Sequence, residues 1–258
     1  MDPILNVSAY RFVPVHDTAA LQASVLERAQ AAGLKGTVLI AQEGLNLALA
    51  GPAPGLRTFL GWLQADERFA DLPLKESSSA GMPFRKLLVK VKREIIRMNR
   101  PAVRPASGRA PAVAARTLAR WLAQGHCDEG RPVVMLDTRN AFEVDAGAFE
   151  GAVDWRLGKF SDFPLELETR IDELRNKTVV SYCTGGIRCE KAALVMRDAG
   201  LVHVHQLEGG ILRYFEDTRS APGWSGDCVV FDDRTALRPD LSPVRKPEPL
   251  PSLREAAP

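Results

Sequence analysis

Apolar and polar positions along the first half of the chain follow strand-like and helix-like spacings in turn. Residues 5–15, LNVSAYRFVPV, alternate like a strand. Residues 18–32 are rich in alanine and leucine and end at Gly33, which predicts a helix with a glycine stop. Residues 36–51 predict two strands around a turn at Glu43-Gly44.

The next segments complete a recognisable order of elements. Residues 55–69, GLRTFLGWLQADERF, have apolar residues at helical spacing, and residues 85–98, RKLLVKVKREIIRM, alternate like a final strand. The resulting order, βαββαβ, is the split βαβ or ferredoxin-like pattern. We therefore predict a ferredoxin-like N-terminal domain over residues 1–97.

The order of elements changes after a proline-containing stretch. Residues 98–111 lack a regular pattern and are interpreted as a basic linker. From 112 to 237, helices alternate with the strand-like runs PVVMLD, TVVSYC and VHVHQLEGG, which predicts an α/β domain with a parallel sheet. The helices are predicted near 112–124, 165–175 and 188–199, with another after the last strand. Six prolines in residues 239–258 predict a disordered tail from residue 238.

The composition indicates which classes of protein this chain can belong to. The 258 residues are 45% hydrophobic and 26% charged, with a net charge of +2, which is ordinary for a globular protein. The chain has no apolar run of about 18 residues, so no membrane span is predicted. The N-terminus does not have the pattern of a signal peptide. Four cysteines are few for this length and favour free thiols in a reducing cytoplasm.

The stretch with the clearest chemistry is SYCTGGIRCEKAA, residues 181–193. Cys183 follows a predicted strand and precedes a predicted helix, at the edge of a parallel sheet where ligands bind. Two glycines allow the loop amides to turn inward, and the helix directs its positive end at the same place. These dipoles and Arg188 should stabilise a thiolate and make Cys183 a nucleophile. The predicted anion cradle consists of Thr184, Gly185, Gly186 and Ile187.

The spacing between Cys183 and Arg188 and the residues near them limit the reactions that this loop can support. Four residues separate Cys183 from Arg188, whereas cysteine-dependent phosphatases need five, so the smaller ring suits a persulfide or another small adduct. Cys189 is either a small helix residue that packs inward or a thiol that resolves an oxidised Cys183. His203 and His205 lie on one side of a strand, but no third metal ligand is spaced near them. No metal site and no flavin or nicotinamide fingerprint is evident, so the sequence predicts no cofactor.

Three motifs resemble those of rhodanese-like domains. They are LDTRNAFEVDAGAFEGA (136–152), the loop at Cys183, and LEGGILRYFED (207–217), in which Tyr214 stands where tryptophan is usual. Together with AQEGLNLALAG and GWSGDCVVFDDR, they resemble the TrhO (YceA, UPF0176) family of tRNA uridine hydroxylases over residues 5–237. Longer members of that family have further cysteines after the FDDR segment, whereas this chain has none after Cys228.

The resemblance implies an N-terminal ferredoxin-like domain coupled to a rhodanese-like domain. It also implies hydroxylation of C5 of the wobble uridine of tRNA, with molecular oxygen as co-substrate and Cys183 as the catalytic residue. Asp137, Arg139 and Glu143 belong to the first motif, and we interpret them as a supporting charge network rather than as substrate contacts.

A basic stretch provides a candidate surface for RNA. Residues 85–116 contain ten lysines and arginines and one acid, Glu94, and they form either a solvated edge with a linker or a strip that binds phosphates. Three aromatic residues near the rhodanese loops, Trp155, Phe160 and Phe163, either stack on a splayed base or belong to the core. The candidates for phosphate contact are Lys90, Lys92, Arg93, Arg97 and Arg100.

The hypothesis favoured by these observations is a cytoplasmic tRNA-modifying enzyme whose rhodanese-like loop receives a flipped wobble base. One alternative is a sulfurtransferase in which Cys183 carries a persulfide. A second alternative is a non-catalytic protein that binds RNA or has a regulatory role. The presence of both Cys183 and Arg188 argues against this alternative. No stable protein partner is evident.

Overall fold

The computed structural model describes residues 3–244, and the N-terminal domain is a five-stranded sheet with two helices. The strand order is β4-β1-β3-β2-β5, with β5 parallel to β2 and the other neighbours antiparallel. The first four strands and two helices have the predicted ferredoxin-like order. The elements are β1 (Ile4–Phe12), α1 (Thr18–Ala31), β2 (Lys35–Ala41), β3 (Gly44–Gly51), α2 (Ala53–Gln64), β4 (Lys75–Ser79) and β5 (Leu87–Val91).

The last strand of this pattern differs from the prediction. Residues 85–98 were predicted to complete the ferredoxin-like order, but only Leu87–Val91 form a strand, and it is an additional strand at the far edge beside β2. The completing strand is β4, whose sequence KESSS has no apolar alternation. Because β4 is an edge strand without buried residues, hydrophobic periodicity could not identify it.

Both helices pack on one face of this sheet. Val7 and Ala9 of β1 are buried against a core that includes Val25 of α1 and Phe59 of α2. The alternate residues of β1, such as Asn6 and Ser8, point to the other face because successive strand side chains alternate. That second face is turned toward the C-terminal domain.

The C-terminal domain has the predicted parallel sheet, in the order β6-β11-β10-β7-β9. Two small antiparallel pairs, β8 with β12 and β13 with β14, lie beside it. The helix predicted at 112–124 begins three residues later because residues 112–113 form an edge strand. The elements are β6 (Ala112–Val113), α3 (Ala115–Gln124), β7 (Val133–Asp137), α4 (Ala141–Ala146), β8 (Gly147–Phe149), β9 (Val153–Asp154), α5 (Phe163–Arg170), β10 (Thr178–Tyr182), α6 (Ile187–Asp198), β11 (Val204–Leu207), α7 (Gly210–Thr218), β12 (Trp224–Gly226), β13 (Cys228–Val229) and β14 (Ala236–Leu237).

The predicted linker is packed rather than free. Met98, Val103 and Ala110 are buried in the core of the C-terminal domain, and the side-chain amide of Gln206 donates a hydrogen bond to the carbonyl of Ala110 at 3.2 Å. Residues 98–111 lie along this domain because three apolar side chains bury against it.

The first residues of the predicted tail are held by backbone hydrogen bonds. The N–H groups of Arg238 and Val244 donate to the carbonyls of Ser242 and Ala236 at 2.9 and 3.0 Å. The prediction of disorder is therefore wrong for residues 238–244, because backbone hydrogen bonds hold them against β14. The rest of the predicted tail, 245–258, lies outside the described residues.

A buried lysine joins the two domains. The ammonium group of Lys191 on α6 donates to Glu43 Oε1 at 2.9 Å, to Glu94 Oε2 at 2.7 Å and to the carbonyl of Ile96 at 3.0 Å. All three acceptors precede the C-terminal domain in the chain. These contacts set the distance between the second face of the N-terminal sheet and the loop that follows β10.

Within residues 3–244, every helix is too short or too polar to cross a lipid bilayer.

Candidate active site

The loop from Cys183 to Arg188 wraps its backbone amides around a sulfur atom. Gly186 has a φ of +96°, a conformation that favours glycine, and is the N-cap of α6. Its N–H group donates to Cys183 Sγ at 3.1 Å. The predicted turn of the loop amides toward the sulfur is therefore seen directly at Gly186.

The start of α7 holds this loop from behind. The N–H groups of Ile211 and Leu212 donate to the carbonyls of Cys183 and Thr184, at 3.0 and 3.2 Å. A Cβ atom at Gly210 would lie 2.5 Å from the carbonyl oxygen of Cys183 and 2.7 Å from the nitrogen of Gly186. The loop carbonyls thus face α7 while the Gly186 amide faces the sulfur. Sequence reasoning quoted the motif LEGG but did not identify this role of its glycine pair.

Arg188 is held by a carboxylate from the first motif. Its two terminal nitrogens donate to Glu143 Oε2 and Oε1 at 2.6 and 2.8 Å, and both side chains are buried. Glu143 also accepts the N–H of Asn140 and, at 3.4 Å, the hydroxyl of Thr184. Glu143 therefore reaches the loop itself.

Asp137 and Arg139 form a second buried pair behind the loop. Arg139 Nη2 donates to Asp137 Oδ2 at 2.6 Å and to the carbonyl of Gly147 at 2.7 Å. Arg139 Nη1 donates to the carbonyl of Glu143 at 3.2 Å. This pair ties the end of β7 to the start of β8 and does not line the cavity described below. Its geometry agrees with a supporting network.

The environment of Cys183 favours its thiolate. Burial raises the pKa of the Cys183 thiol, but hydrogen bonding with Cys189, the charge of Arg188 and the N–H groups of Arg188 and Gly186 lower the pKa more, to about 5. Burial and the adjacent Cys183 sulfur raise the pKa of Cys189 well above its ordinary value. Of the two thiols, Cys183 therefore has the lower pKa, and Cys189 is the one that stays protonated beside it.

A cavity of about 580 Å³ separates the Cys183 loop from the N-terminal sheet. Cys183 contributes to the cavity wall, although it has no solvent-exposed surface. The volume is that of an ordinary small-ligand pocket. Its lining includes Asn6, Ser8, Asn46, Ala48 and Ser77 of the sheet, Thr184, Gly185, Ile187 and Arg188 of the loop, and Val230, Phe231, Arg234 and Leu237 of the C-terminal segment.

Lys75 adds a positive charge to the cavity that sequence reasoning did not identify. Its ammonium nitrogen lies 5.3 Å from the ring centroid of Tyr10. Burial lowers the pKa of Lys75, against the opposing effects of the negative charges of Cys183, Glu216 and Glu208. Among the residues that the structure describes, no carboxylate lies within 4.0 Å of it. Lys75 was missed because nothing in KESSS marks it locally as part of a site.

The basic candidates lie apart from one another. Lys90 pairs in register with Leu39, which lines the cavity, so Lys90 lies on the cavity face of the sheet at its edge. Arg97 lines the cavity itself. Arg100 donates to Glu168 at 3.2 Å. Lys92 and Arg93 follow β5 and are exposed. Of these residues, Lys90 and Arg97 form an exposed basic surface beside the cavity, and RNA binding by this surface stays a prediction.

The aromatic and histidine candidates have ordinary surroundings. Trp155, Phe160 and Phe163 are buried in the core of the C-terminal domain, which agrees with the core interpretation, and of the three Phe160 also lines the cavity. His205 packs edge-on against Trp121. Within the described chain, no group of three histidine, cysteine, aspartate or glutamate side chains is arranged to hold a metal ion.

Comparisons with known proteins match both domains. Residues 4–95 match the UPF0176 acylphosphatase like domain, and residues 118–217 match the rhodanese-like domain. A solved rhodanese-like domain from Anabaena sp is similar to 45% of this chain and 80% of its own, with 21% identity and a TM-score of 0.36.

Two relatives match nearly the whole length. The tRNA uridine(34) hydroxylase of Delftia acidovorans is 62% identical over 242 residues, or 94% of this chain and 92% of the relative. That of Bordetella petrii is 60% identical over 244 residues, or 95% and 96%. These matches confirm the family resemblance that the motifs indicated. With such identity across both domains, the chain belongs to the family of the tRNA uridine(34) hydroxylases.

Proposed function

We propose that this protein hydroxylates C5 of uridine 34 of tRNA, with Cys183 as the nucleophile. The observation that carries the proposal is a stabilised thiolate in the wall of a cavity between the two domains. The names of the relatives in Delftia acidovorans and Bordetella petrii supply the substrate and the reaction. Since its substrate is tRNA, the protein acts in the cytoplasm.

The cysteine activates the base by addition. The thiolate of Cys183 forms a bond to C6 of uracil, and the electrons of the C5=C6 double bond move toward C5 and O4. Carbon 5 then bonds to an oxygen atom and loses its proton, and the bond from C6 to sulfur breaks as the double bond returns. Nucleophilic catalysis divides a difficult step into easier ones in this way.

The oxidation requires two further reactants. Replacement of C5–H by C5–OH removes two electrons from the base. With molecular oxygen as co-substrate, one oxygen atom enters the base and the other leaves as water, which consumes two protons and two electrons from a reductant. The described side chains show no metal cluster for oxygen activation, and our proposal assigns to this chain the activation of the base.

Two cations have separate roles in this proposal. Arg188 is committed to Glu143 through both terminal nitrogens and stabilises the thiolate by its charge. Lys75 faces the open cavity, where it stabilises negative charge on the uracil oxygen after addition.

Uridine 34 enters the cavity as a base that has left its stack. Extrusion of a base costs least where the nucleic acid is already single-stranded, as in a loop. The exposed basic surface beside the cavity, which includes Lys90 and Arg97, binds the flanking phosphates.

Nucleoside analysis tests the function. Total tRNA is isolated from a strain that lacks the gene and from the same strain supplied with wild type, Cys183→Ser or Cys127→Ser. We expect 5-hydroxyuridine derivatives with wild type and Cys127→Ser only, because Cys127 is a buried thiol outside the cavity. Restoration by Cys183→Ser would contradict covalent sulfur chemistry. Loss of a thiolated nucleoside instead would favour the sulfurtransferase, and an unchanged profile would favour a non-catalytic role.

A further inference from the structure

Two phenylalanine rings are exposed at the edge of the cavity. Phe142 and Phe231 are 55% and 66% exposed, although phenylalanine is among the residues most often buried. Their ring centroids are 6.4 Å apart and the ring planes meet at 85°. Phe142 lies in the first turn of α4, and Phe231 follows β13, so tertiary structure alone brings them together.

The position of this aromatic pair links it to the active site. Phe231 lines the same cavity as Cys183. Phe142 directly precedes Glu143, the carboxylate that holds Arg188. A molecule that fills the cavity therefore contacts Phe231, and Phe142 lies against that ring.

The charges around the pair indicate the class of ligand. Arg97, Lys159 and Arg234 line the same cavity. Arg234 is paired with Asp232 at 2.6 Å and is nearly buried, whereas Arg97 is exposed and the side chain of Lys159 is 72% exposed, 3.7 Å from Asp162. Arg97 and Lys159 are therefore the cations open to a ligand. Open aromatic faces combined with lysine and arginine are the arrangement that binds single-stranded nucleic acid, because rings stack on bases while cations neutralise phosphates. Double-stranded RNA, whose bases are already stacked, offers no free base face to these rings.

We infer that Phe142 and Phe231 form a stacking platform for an unpaired base next to the uridine that enters the cavity. This inference rests on the proposed function, since it assigns the platform to the loop that contains uridine 34. The two rings contact each other edge to face, and each ring is more than half exposed. The exposed ring surface is therefore available to a flanking base. Stacking there would hold the RNA loop open while the uridine lies at Cys183.

Binding of an anticodon stem-loop RNA tests the platform. Phe142→Ala and Phe231→Ala should each weaken binding by about fivefold or more, the size found for loss of base stacking. The slope of log Kd against log salt should not change, because no phosphate contact is lost. Val202→Ala is the matched control: Val202 is 80% exposed and precedes β11, at the opposite end of the strands from Cys183. It should bind like wild type.

A second test measures tryptophan fluorescence and keeps an aromatic side chain at position 231. Phe231→Trp should retain binding, and its added fluorescence should fall when the stem-loop is bound, whereas Val202→Trp should show no such change. A perfectly paired duplex of the same length should cause no change in either variant. The inference of a stacking platform is wrong if both alanine variants bind the stem-loop with wild-type affinity, or if the duplex quenches Phe231→Trp as much as the stem-loop does. The exposed rings would then be a contact site for a protein partner.

The outcome is separable from that of the proposed function. If wild type binds the stem-loop through the platform but restores no 5-hydroxyuridine in the deletion strain, the proposed function fails and the platform stands. If wild type restores the nucleoside while the alanine variants bind and modify tRNA normally, the platform alone fails.

Discussion

Arg188 binds Glu143 through both terminal nitrogens, at 2.6 and 2.8 Å, across 45 positions of sequence. The pair is buried, and a buried ion pair is retained at a net benefit only when its geometry and hydrogen bonds are good. Here the pair fixes a positive charge beside the Cys183 sulfur. The same carboxylate accepts the hydroxyl of Thr184, so one side chain organises both ends of the loop.

Arg188→Ala should raise the pKa of the Cys183 thiol. In wild type the pKa is about 5, so the rate of iodoacetamide alkylation should rise with a midpoint near that pH and level off above it. Removal of the guanidinium should move the midpoint upward, and Arg188→Lys should restore it in part because charge returns without the planar fork.

The double variant Glu143→Gln, Arg188→Met is the control for stability. It removes both members of the buried pair, so it should unfold at a higher temperature than Arg188→Ala, which leaves Glu143 buried and unpaired. An unchanged alkylation midpoint in Arg188→Ala, with only a lower melting temperature, would limit Arg188 to bracing the loop.

Lys75→Met should slow modification with little effect on tRNA affinity. Lys75 lines the cavity, and its ammonium lies near the Tyr10 ring rather than in an ion pair with a described carboxylate, so its loss should affect charge that develops during the reaction. The 5-hydroxyuridine content of tRNA from the complemented deletion strain should fall at least tenfold, and Kd for purified tRNA should stay within about twofold. Equal loss of binding and modification would make Lys75 a phosphate contact instead.

Charge reversal at Lys90, Lys92 and Arg93 should weaken tRNA binding and reduce its salt dependence. Each lost phosphate contact should lower the slope of log Kd against log salt by about one unit. Reversal of Arg28 and Arg57, which are exposed on the helices of the opposite sheet face, is the control. It is compared with reversal of Lys90 and Arg93 alone, so that both sets change the net charge by the same amount. Equal effects from both sets would indicate only a general influence of net charge.

Gly210→Ala should destabilise the C-terminal domain more than Gly200→Ala. Both glycines have positive φ, at +69° and +93°, but a Cβ atom at Gly200 meets nothing within 4 Å. The strain alone costs about 1–2 kcal/mol. At Gly210 the clash with the Cys183 loop should add about 1–3 kcal/mol. Urea unfolding of both variants measures the difference, and equal midpoints would contradict the close packing of α7 on the loop.

Lys191→Met should loosen the domain interface. It leaves Glu43 and Glu94 without their shared cation, and because both carboxylates are about one-fifth exposed the loss should be about 2–3 kcal/mol, below that of fully buried pairs. Arg57→Met is the control, since it removes an exposed pair with Glu76 and should cost less than about 1 kcal/mol. Urea unfolding at pH 7 compares them.

Acid should reproduce part of the Lys191 effect. Burial raises the pKa of Glu94, but the hydrogen bonds from Lys191, Met98 and Asn99 lower it further, so the folded pKa lies below the unfolded value. The stability from Glu94 is therefore present above the unfolded pKa, about 4.3, and is lost as pH falls through the folded pKa. At pH values below about 4.5, the urea concentration at the unfolding midpoint should decrease. The decrease should be smaller in Lys191→Met than in wild type.

Local sequence was sufficient wherever an element buries apolar side chains of its own. The helix over Thr18–Ala31 and the strand over Thr178–Tyr182 follow from hydrophobic spacing. The loop after Cys183 follows from glycine chemistry, because positive φ is a property of a single residue. By contrast, the strand Lys75–Ser79 buries no residue of its own and carries no such signal.

The sequence by itself determined the two domains, most of their longer elements and the thiol at the tip of β10. Tertiary structure decided what faces that thiol. Lys75 lies more than a hundred positions before Cys183, and Phe142 meets Phe231 from a distant element. The ion pairs of Lys191 set where the N-terminal sheet stands over the loop. Hydrophobic periodicity indicates which face of one element packs against its own core. Contacts between domains depend on the complementarity of two folded surfaces, which the spacing of residues along one element does not determine.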